Sequence, residues 1–155
     1  MSTTPAIVAR LVSLSTLILA AVLAVLPATG CSKLDDRRLE EEKLVVSDVK
    51  SLYAKQRAEP KGTTAIFIDA RRPSVAKQGM IPGAILLDIT QVDLINKRTN
   101  PAIEKFSTKV VYGDNPGDAI AKALAKKMIE AGYSDVRWFE DGWEGWVRSG
   151  GDTGK

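Results

Sequence analysis

Five consecutive residues, Ala65-Ile66-Phe67-Ile68-Asp69, form a nearly continuous apolar run that ends in a carboxylate. Such a run is typical of a strand that is buried on both faces, as in a parallel sheet. Four further strand-like segments, an edge candidate at 44–46 and others at 85–87, 109–112 and 136–139, alternate with helix-like segments along the chain. Because strands alternate with helices, the sequence predicts an α/β fold with a mostly parallel sheet and helices on both faces.

The segment 109–112 leads into the loop Gly113-Asp114-Asn115-Pro116-Gly117-Asp118, which an alanine-rich helix pattern follows. A strand, a tight loop and a helix N-terminus in this order form a common cradle for an anion or an activated nucleophile. The loop contains no Cys, Ser, Thr, His or Lys, so it offers no nucleophile. We therefore predict a candidate ligand loop without a catalytic residue, made of Gly113, Asp114, Asn115, Gly117 and Asp118.

The chain contains no histidine and a single cysteine, Cys31. These counts exclude a zinc site of the usual Cys/His kind, an intramolecular disulfide, and a hydrolase or phosphatase that relies on a histidine. The formal net charge is +3, and basic and acidic residues are interspersed. Nucleic-acid binding requires clustered basic residues, so none is expected here. We also expect no resident metal and no cofactor.

The first thirty residues contain no acidic residue and one basic residue, Arg10, which an apolar stretch at 11–26 follows. This order, with small residues before Cys31, is typical of a secretory signal peptide. The stretch Ala28-Thr29-Gly30-Cys31 resembles a bacterial lipobox, in which a signal peptidase cuts before the cysteine and the cysteine carries lipid. We therefore expect residues 1–30 to be a lipoprotein signal peptide and Cys31 to be acylated.

Two alternatives stay open for this segment: a free thiol after an ordinary signal peptide, or an uncleaved helical anchor. The apolar stretch is short for a membrane span, which needs roughly 20 residues. A cysteine with two or three acyl chains anchors a protein far better than a single chain does. The residue after the cysteine is Ser32 and not the aspartate that retains lipoproteins in the inner membrane. The absence of that aspartate favours the outer membrane in a host that has one. The expected location is the bacterial cell envelope, facing the periplasm in such a host.

The mature chain is expected to contain three parts. Residues 32–43, SKLDDRRLEEEK, are almost entirely charged. They predict a solvated tether that, together with the lipidated Cys31, covers 31–43. A domain at 44–149 and a flexible tail at 150–155 follow.

Several motifs of that domain match a known family. Ile68-Asp69-Ala70-Arg71 and Gly79-Met80-Ile81-Pro82-Gly83-Ala84 resemble the rhodanese-like pattern D-x-R followed by G-H-I-P-G-A. The segments 131–136 and 141–146 resemble the endings G-Y-x-x-V and G-G-x-x-x-W. The motifs occur in the family's order, so the resemblance implies a single rhodanese-like domain.

The resemblance also implies an activity, sulfur transfer, that this chain lacks the residue to perform. In active rhodaneses a cysteine directly after the third strand carries sulfur as a persulfide. Gly113 stands at that position, or Asp114 if the register shifts, and neither can form a persulfide. Asp118 stands where a cation is common, and Pro116 removes one backbone donor. These departures predict a membrane-anchored pseudoenzyme without sulfurtransferase activity.

The expected role is a binding or scaffold module outside the cytoplasm, held on the membrane by lipid and with an envelope protein as partner. The alternative is an enzyme that binds sulfur species or a metal through Asp114 and Asp118. A third reading is a sulfur carrier whose partner supplies the cysteine. The simplest interpretation of either aspartate is a cap on the following helix.

Asp69 and Arg71 are expected to support the loop structurally, with ligand binding as the alternative. Trp138, Trp143 and Trp146 lie near the end of the domain. They predict either core packing or an exposed contact surface.

Overall fold

The computed structural model describes residues 30–154. Four strands make up its sheet: β1 (Ala65–Asp69), β2 (Ile85–Leu86), β3 (Thr108–Tyr112) and β4 (Val136–Phe139). Six α-helices accompany them: α1 (Gly30–Glu41), α2 (Val46–Ala58), α3 (Pro73–Ala76), α4 (Pro101–Glu104), α5 (Ala119–Glu130) and α6 (Gly142–Arg148). A 3₁₀ helix spans Ile89–Gln91.

All strand pairs in the sheet are parallel, and the strand order is β2-β1-β3-β4. β1 and β3 pair along their full length, whereas β2 pairs only with Ile68 and Asp69. Leu44 extends the sheet beyond β4 through one parallel bridge to Phe139. The predicted parallel α/β architecture is thereby confirmed. Because β1 and β3 are central, their carboxyl ends bring Asp69 and the loop after Tyr112 together.

The side chains of β1 alternate between two apolar cores, one on each face of the sheet. Ile66 and Ile68 pack on the face that α1 and α5 cover. Ala65 and Phe67 pack on the opposite face, with α2 and α6. All five residues of β1 are buried, which explains why the strand reads as a continuous apolar run.

Residues 31–43, expected as a solvated tether, lie mostly in α1. Leu39 of this helix is only 1% exposed and belongs to the core beside α5. Lys122 of α5 pairs with Glu40, and Lys126 lies 3.1 Å from a carboxylate oxygen of Asp36. The expectation of a solvated tether therefore fails for this stretch, because one apolar residue and two ion pairs dock the charged helix on the domain.

The flexible tail expected at 150–155 is also bound to the domain, as far as Gly154. Gly154 forms an antiparallel bridge with Met80, in which the N–H of Met80 donates to the Gly154 carbonyl at 3.0 Å. The indole N–H of Trp146 donates to the carbonyl oxygen of Asp152 at 2.7 Å. The tail thus completes the surroundings of Trp146.

The predicted signal peptide lies outside the described residues, except for Gly30, which begins α1. Within 30–154, none of the helices is both long enough and apolar enough to cross a membrane.

Candidate functional site

The loop 113–118 connects β3 to α5 at the carboxyl edge of the sheet, and the segment after β4 braces it. The carbonyl of Gly113 accepts from the N–H of Trp143 at 2.9 Å, and the carbonyl of Asp114 from the N–H of Glu144 at 2.8 Å. The N–H of Gly117 donates to the carbonyl of Glu140 at 3.0 Å. Much of the loop's hydrogen-bonding capacity is therefore used within the protein.

The carboxylate of Asp118 fills the interior of this loop. Its oxygens accept from the backbone N–H groups of Asp114 at 3.1 Å, Ile120 at 2.8 Å and Ala121 at 3.1 Å. The predicted helix cap at Asp118 is thereby confirmed. The arrangement also places an internal negative charge in contact with the amides that a bound anion would need.

Gly113 has no room for a side chain. A Cβ built on it would lie 2.3 Å from Cγ and 2.5 Å from Cβ of Asp118. A second close approach occurs at Gly142, where φ is +61° and a Cβ would lie 3.0 Å from the carbonyl oxygen of Asn115. The loop is therefore tightly packed, against Asp118 at Gly113 and against Gly142 at Asn115.

Asp69 and Arg71 form a buried ion pair beside the loop. The Arg71 Nη2 lies 2.7 Å from Oδ2 of Asp69, and its Nε lies 3.0 Å from Oδ1. Nη2 also donates to the carbonyl of Gly79 at 2.6 Å. Burial by itself lowers the pKa of Arg71, but the hydrogen bond and charge of Asp69 outweigh it and raise that pKa.

Tyr112 joins the same network from the end of β3. Its hydroxyl donates to Oδ2 of Asp69 at 2.9 Å and accepts from the N–H of Ile81 at 3.2 Å. Burial raises the pKa of Tyr112, and the negative charge of Asp69 raises it further. The phenol therefore stays protonated and acts as a structural donor.

Arg71 reaches the loop only weakly. Its Nη1 lies 3.5 Å from Oδ1 of Asp114, while its Cζ lies 4.7 Å from the ring centroid of Trp143. The side chain of Arg71 is 3% exposed, whereas that of Asp114 is 53% exposed. The strong contacts of Asp69 and Arg71 go to each other, to the Tyr112 hydroxyl and to the Gly79 carbonyl, so the pair mainly supports the end of the sheet beside the loop.

The outer side of the loop borders an open cavity of about 460 Å³, lined by Asp114, Asn115, Trp143, Glu144, Val147 and Arg148. Two of these carboxylates, Asp114 and Glu144, are about half exposed. Glu144 is paired with Arg148. Within residues 30–154, no group of three or more Cys, His, Asp or Glu side chains is arranged to hold a metal ion.

The three tryptophans separate into different surroundings. Trp138 and Trp146 are buried in the two opposite cores. Trp143 is half-buried and reaches the cavity beside the loop. Sequence reasoning did not place Trp143, Glu144 and Arg148 at the site. The available signal was their position in the segment that follows β4, since the carboxyl ends of neighbouring parallel strands meet at one edge. Of Cys31, only its place in the first turn of α1 is described.

Comparison with known proteins gives the fold a family. The model of the rhodanese-like domain matches residues 47–149, more than half of the chain. No match was found among curated protein sequences.

Solved structures share the fold at low sequence identity. A protein of unknown function from Rhodopseudomonas palustris, named a possible tyrosine phosphatase, is 22% identical with a TM-score of 0.60, over 82% of this chain and 96% of that chain. A rhodanese-like domain from Anabaena is 22% identical with a TM-score of 0.53, over 73% and 78%. An As-Sb reductase from Leishmania major is 18% identical with a TM-score of 0.55, over 70% and 78%. The chain therefore belongs to the rhodanese-like domain family.

Proposed function

We propose that this protein is a membrane-anchored rhodanese-like lipoprotein that has no sulfurtransferase activity and acts as a binding module outside the cytoplasm. The observation that carries the proposal is the carboxylate of Asp118 inside the loop, where it accepts three backbone N–H groups. A sulfur anion would need those donors, and it would be repelled by the charge that already holds them.

The absence of a nucleophile supports the same proposal. Gly113 carries no side chain, and the added Cβ of a cysteine would collide with Asp118. Arg71, whose Nη1 lies 3.5 Å from Asp114 of the loop, is committed to Asp69. Introducing a cysteine at position 113 would therefore not be enough, because the charge of Asp118 would still repel a bound anion.

The anchor in this proposal is Cys31, acylated after cleavage of residues 1–30. The support is the sequence around it, Ala28-Thr29-Gly30-Cys31, with a preceding apolar stretch and one basic residue. The chain would then sit in a bacterial cell envelope, on the outer membrane facing the periplasm in a host that has one.

The partner we propose is an envelope protein that presents basic side chains to the outer side of the loop. Asp114 and Glu144 offer half-exposed carboxylates there, beside the half-buried ring of Trp143. The two carboxylates suit a lysine or arginine side chain of a partner, which would take the place of Arg148 at Glu144 and pair with Asp114.

A sulfurtransferase assay with thiosulfate and cyanide tests the loss of activity. We expect no turnover above the buffer rate in the purified protein. Turnover that survives Cys31→Ser would contradict the proposal, because no cysteine would then remain in the chain. A calcium or manganese titration followed by tryptophan fluorescence tests the alternative of metal binding through Asp114 and Asp118, and no saturable change is expected.

Cross-linking of the membrane-anchored protein tests the binding surface. The informative variant combines Asp114→Ala with Glu144→Ala and leaves Asp118 intact, since Asp118 caps α5. The matched control is Glu130→Ala, which removes an exposed charge at the other end of α5. We expect the double variant to lose a cross-linked partner that the control retains. Retention of every partner by the double variant would contradict this surface.

A further inference from the structure

A hydrogen-bonded turn at 93–98 displays the most exposed large apolar side chain of residues 36–154. Ile95 is 94% exposed, and its neighbour Leu94 is 37% exposed. The next most exposed large apolar residue, Ile120, reaches 54%. Because exposing two adjacent aliphatic side chains to water is unfavourable, their exposure indicates a binding surface.

Hydrogen bonds hold this 93–98 turn in shape. Oδ1 of Asp93 accepts from the N–H groups of Ile95 and Asn96, each at 3.0 Å, and Oδ2 accepts from Nδ2 of Asn96 at 2.7 Å. Asp93 and Arg98 close the turn as an antiparallel bridge. The exposure of Ile95 is therefore built into the turn.

Two cations, Lys97 and Arg98, follow the apolar tip after Asn96, and both are exposed. The acidic residue of the turn, Asp93, directs its carboxylate to the turn's own donors. An aliphatic tip that is flanked by cations matches an anionic lipid surface, where the apolar side chains enter the interface and the cations meet headgroups.

The direction of α1 brings its first turn toward one end of α5. Glu40 pairs with Lys122, and Asp36, one turn earlier in α1, pairs with Lys126, one turn later in α5. The two helices are therefore antiparallel. The first turn of α1, which contains Cys31, accordingly lies toward the carboxyl-terminal end of α5.

The 93–98 turn lies at this same end. Lys127, in the last turn of α5, donates to the carbonyl of Ile89 at 2.7 Å. The hydroxyl of Tyr133, just after α5, accepts from the N–H of Asn100 at 2.8 Å. Ile89 and Asn100 flank the turn in the sequence, so the turn lies toward the end of α5 at which α1 begins. Gln91, just before the turn, lines a cavity with Arg71.

We propose that the 93–98 turn docks on an anionic membrane, with Leu94 and Ile95 in the interface and Lys97 and Arg98 on lipid headgroups. The inference rests on the proposed function for the lipid on Cys31, and it gives the anchored domain an orientation. The loop 113–118, at the opposite end of α5, then faces away from the membrane and stays open to a partner.

Depth-dependent fluorescence quenching tests this orientation. The full lipidated chain carries one added cysteine, Ile95→Cys at the turn or, as matched control, Ala119→Cys at the exposed amino-terminal end of α5. Since Cys31 is acylated in this form, a polarity-sensitive fluorophore labels only the added thiol. The vesicles contain brominated phosphatidylcholine, with or without phosphatidylglycerol.

We expect several-fold stronger quenching at position 95 than at position 119 in vesicles with phosphatidylglycerol. Lys97→Gln combined with Arg98→Gln should weaken the docked state by roughly tenfold or more, because each cation near an anionic surface adds to binding. Equal quenching at the two positions would overturn the proposal. Quenching at position 95 that does not change when phosphatidylglycerol is omitted or when the two cations are replaced would also overturn the proposal. In that case the fluorophore alone would be inserting into the membrane.

Mass spectrometry of the purified protein reads the acylation of Cys31 separately. If no lipid is found, the proposed lipid anchor on Cys31 is wrong. The labelled chain with Cys31→Ser is then added to preformed vesicles for the same comparison of positions 95 and 119. Stronger quenching at position 95 would then support docking of the turn without a lipid anchor, and equal quenching at the two positions would overturn the docking proposal. Protection of position 95 by an acidic protein in intact envelopes, without lipid quenching, would replace the membrane by a protein partner.

Discussion

The carboxylate of Asp118 lies against the α-carbon of Gly113, so closely that a Cβ on Gly113 would meet Cγ of Asp118 at 2.3 Å. The same carboxylate caps α5 and accepts the N–H of Asp114. The glycine at 113 and the acid at 118 thus form one arrangement, in which the carboxylate occupies the space beside the glycine. Each residue occupies space or donors that a persulfide site would require.

Gly113→Cys is therefore expected to leave the protein without sulfurtransferase activity and to lower its stability. Forcing a side chain against Asp118 should cost about 1–3 kcal/mol in the free energy of unfolding, as overpacking usually does. Urea unfolding and the thiosulfate–cyanide assay check both parts. Gly113→Ala is the matched control and should show a similar loss of stability. Turnover by the single Gly113→Cys variant would contradict the account of the filled loop.

Arg71→Ala should be strongly destabilising, because it leaves the fully buried carboxylate of Asp69 without its cation. Breaking a buried pair from one side costs about 3–5 kcal/mol. Asp114→Ala, which removes a half-exposed partner 3.5 Å from the same guanidinium, should cost less than about 1 kcal/mol. Urea unfolding of the two variants measures the difference. Equal losses of stability in the two variants would mean that the contact of Arg71 with Asp114 stabilises the protein as much as its pair with Asp69 does.

Leu39→Ala should lower the free energy of unfolding by about 2–5 kcal/mol, the usual cost of truncating a buried leucine. The reason is that Leu39, 1% exposed, inserts into the core beside α5. Arg37→Ala on the same helix, at a side chain 70% exposed, is the control and should change stability by less than about 0.5 kcal/mol. If both variants unfold like the parent protein, α1 does not belong to the folded domain.

The pH dependence of stability should carry a contribution from Glu104. Burial by itself raises the pKa of Glu104, but hydrogen bonds from Ser134 and Lys109 outweigh it and lower the pKa below 4.5. A lowered folded-state pKa stabilises the protein above the unfolded value of 4.5, and this stabilisation is lost as the pH falls through the folded value.

Glu104→Gln should therefore be less stable than the parent protein near neutral pH, with the difference shrinking in acid. Urea unfolding at a series of pH values measures this difference. Glu59→Gln, at an exposed residue of the α2 end, is the control and should give curves parallel to the parent protein. A difference between Glu104→Gln and the parent protein that stays constant with pH would show that the carboxylate charge plays no part.

Local sequence pattern was enough to predict the parallel sheet and the cap at Asp118. The apolar run at 65–69 and its alternation with helical segments predict a parallel α/β fold, because burial on both faces leaves no polar residues within such a strand. The absence of histidine and of any cysteine after residue 31 follows from composition alone. The cap at Asp118 could likewise be predicted, since a cap acts within one turn of its own helix.

Contacts between distant residues decided the rest. A charged stretch around Leu39 reads as a solvated tether, and only the core beside α5 shows that one leucine docks it. Trp143 and Trp146 look alike in the sequence, yet one lines the cavity and the other is buried. The sequence of the 93–98 turn does not suggest membrane docking by itself. The proposal depends on where the turn lies, toward the carboxyl-terminal end of α5, the end at which α1 begins. Periodicity and composition report on neighbours along the chain, whereas these features depend on which elements the fold brings together.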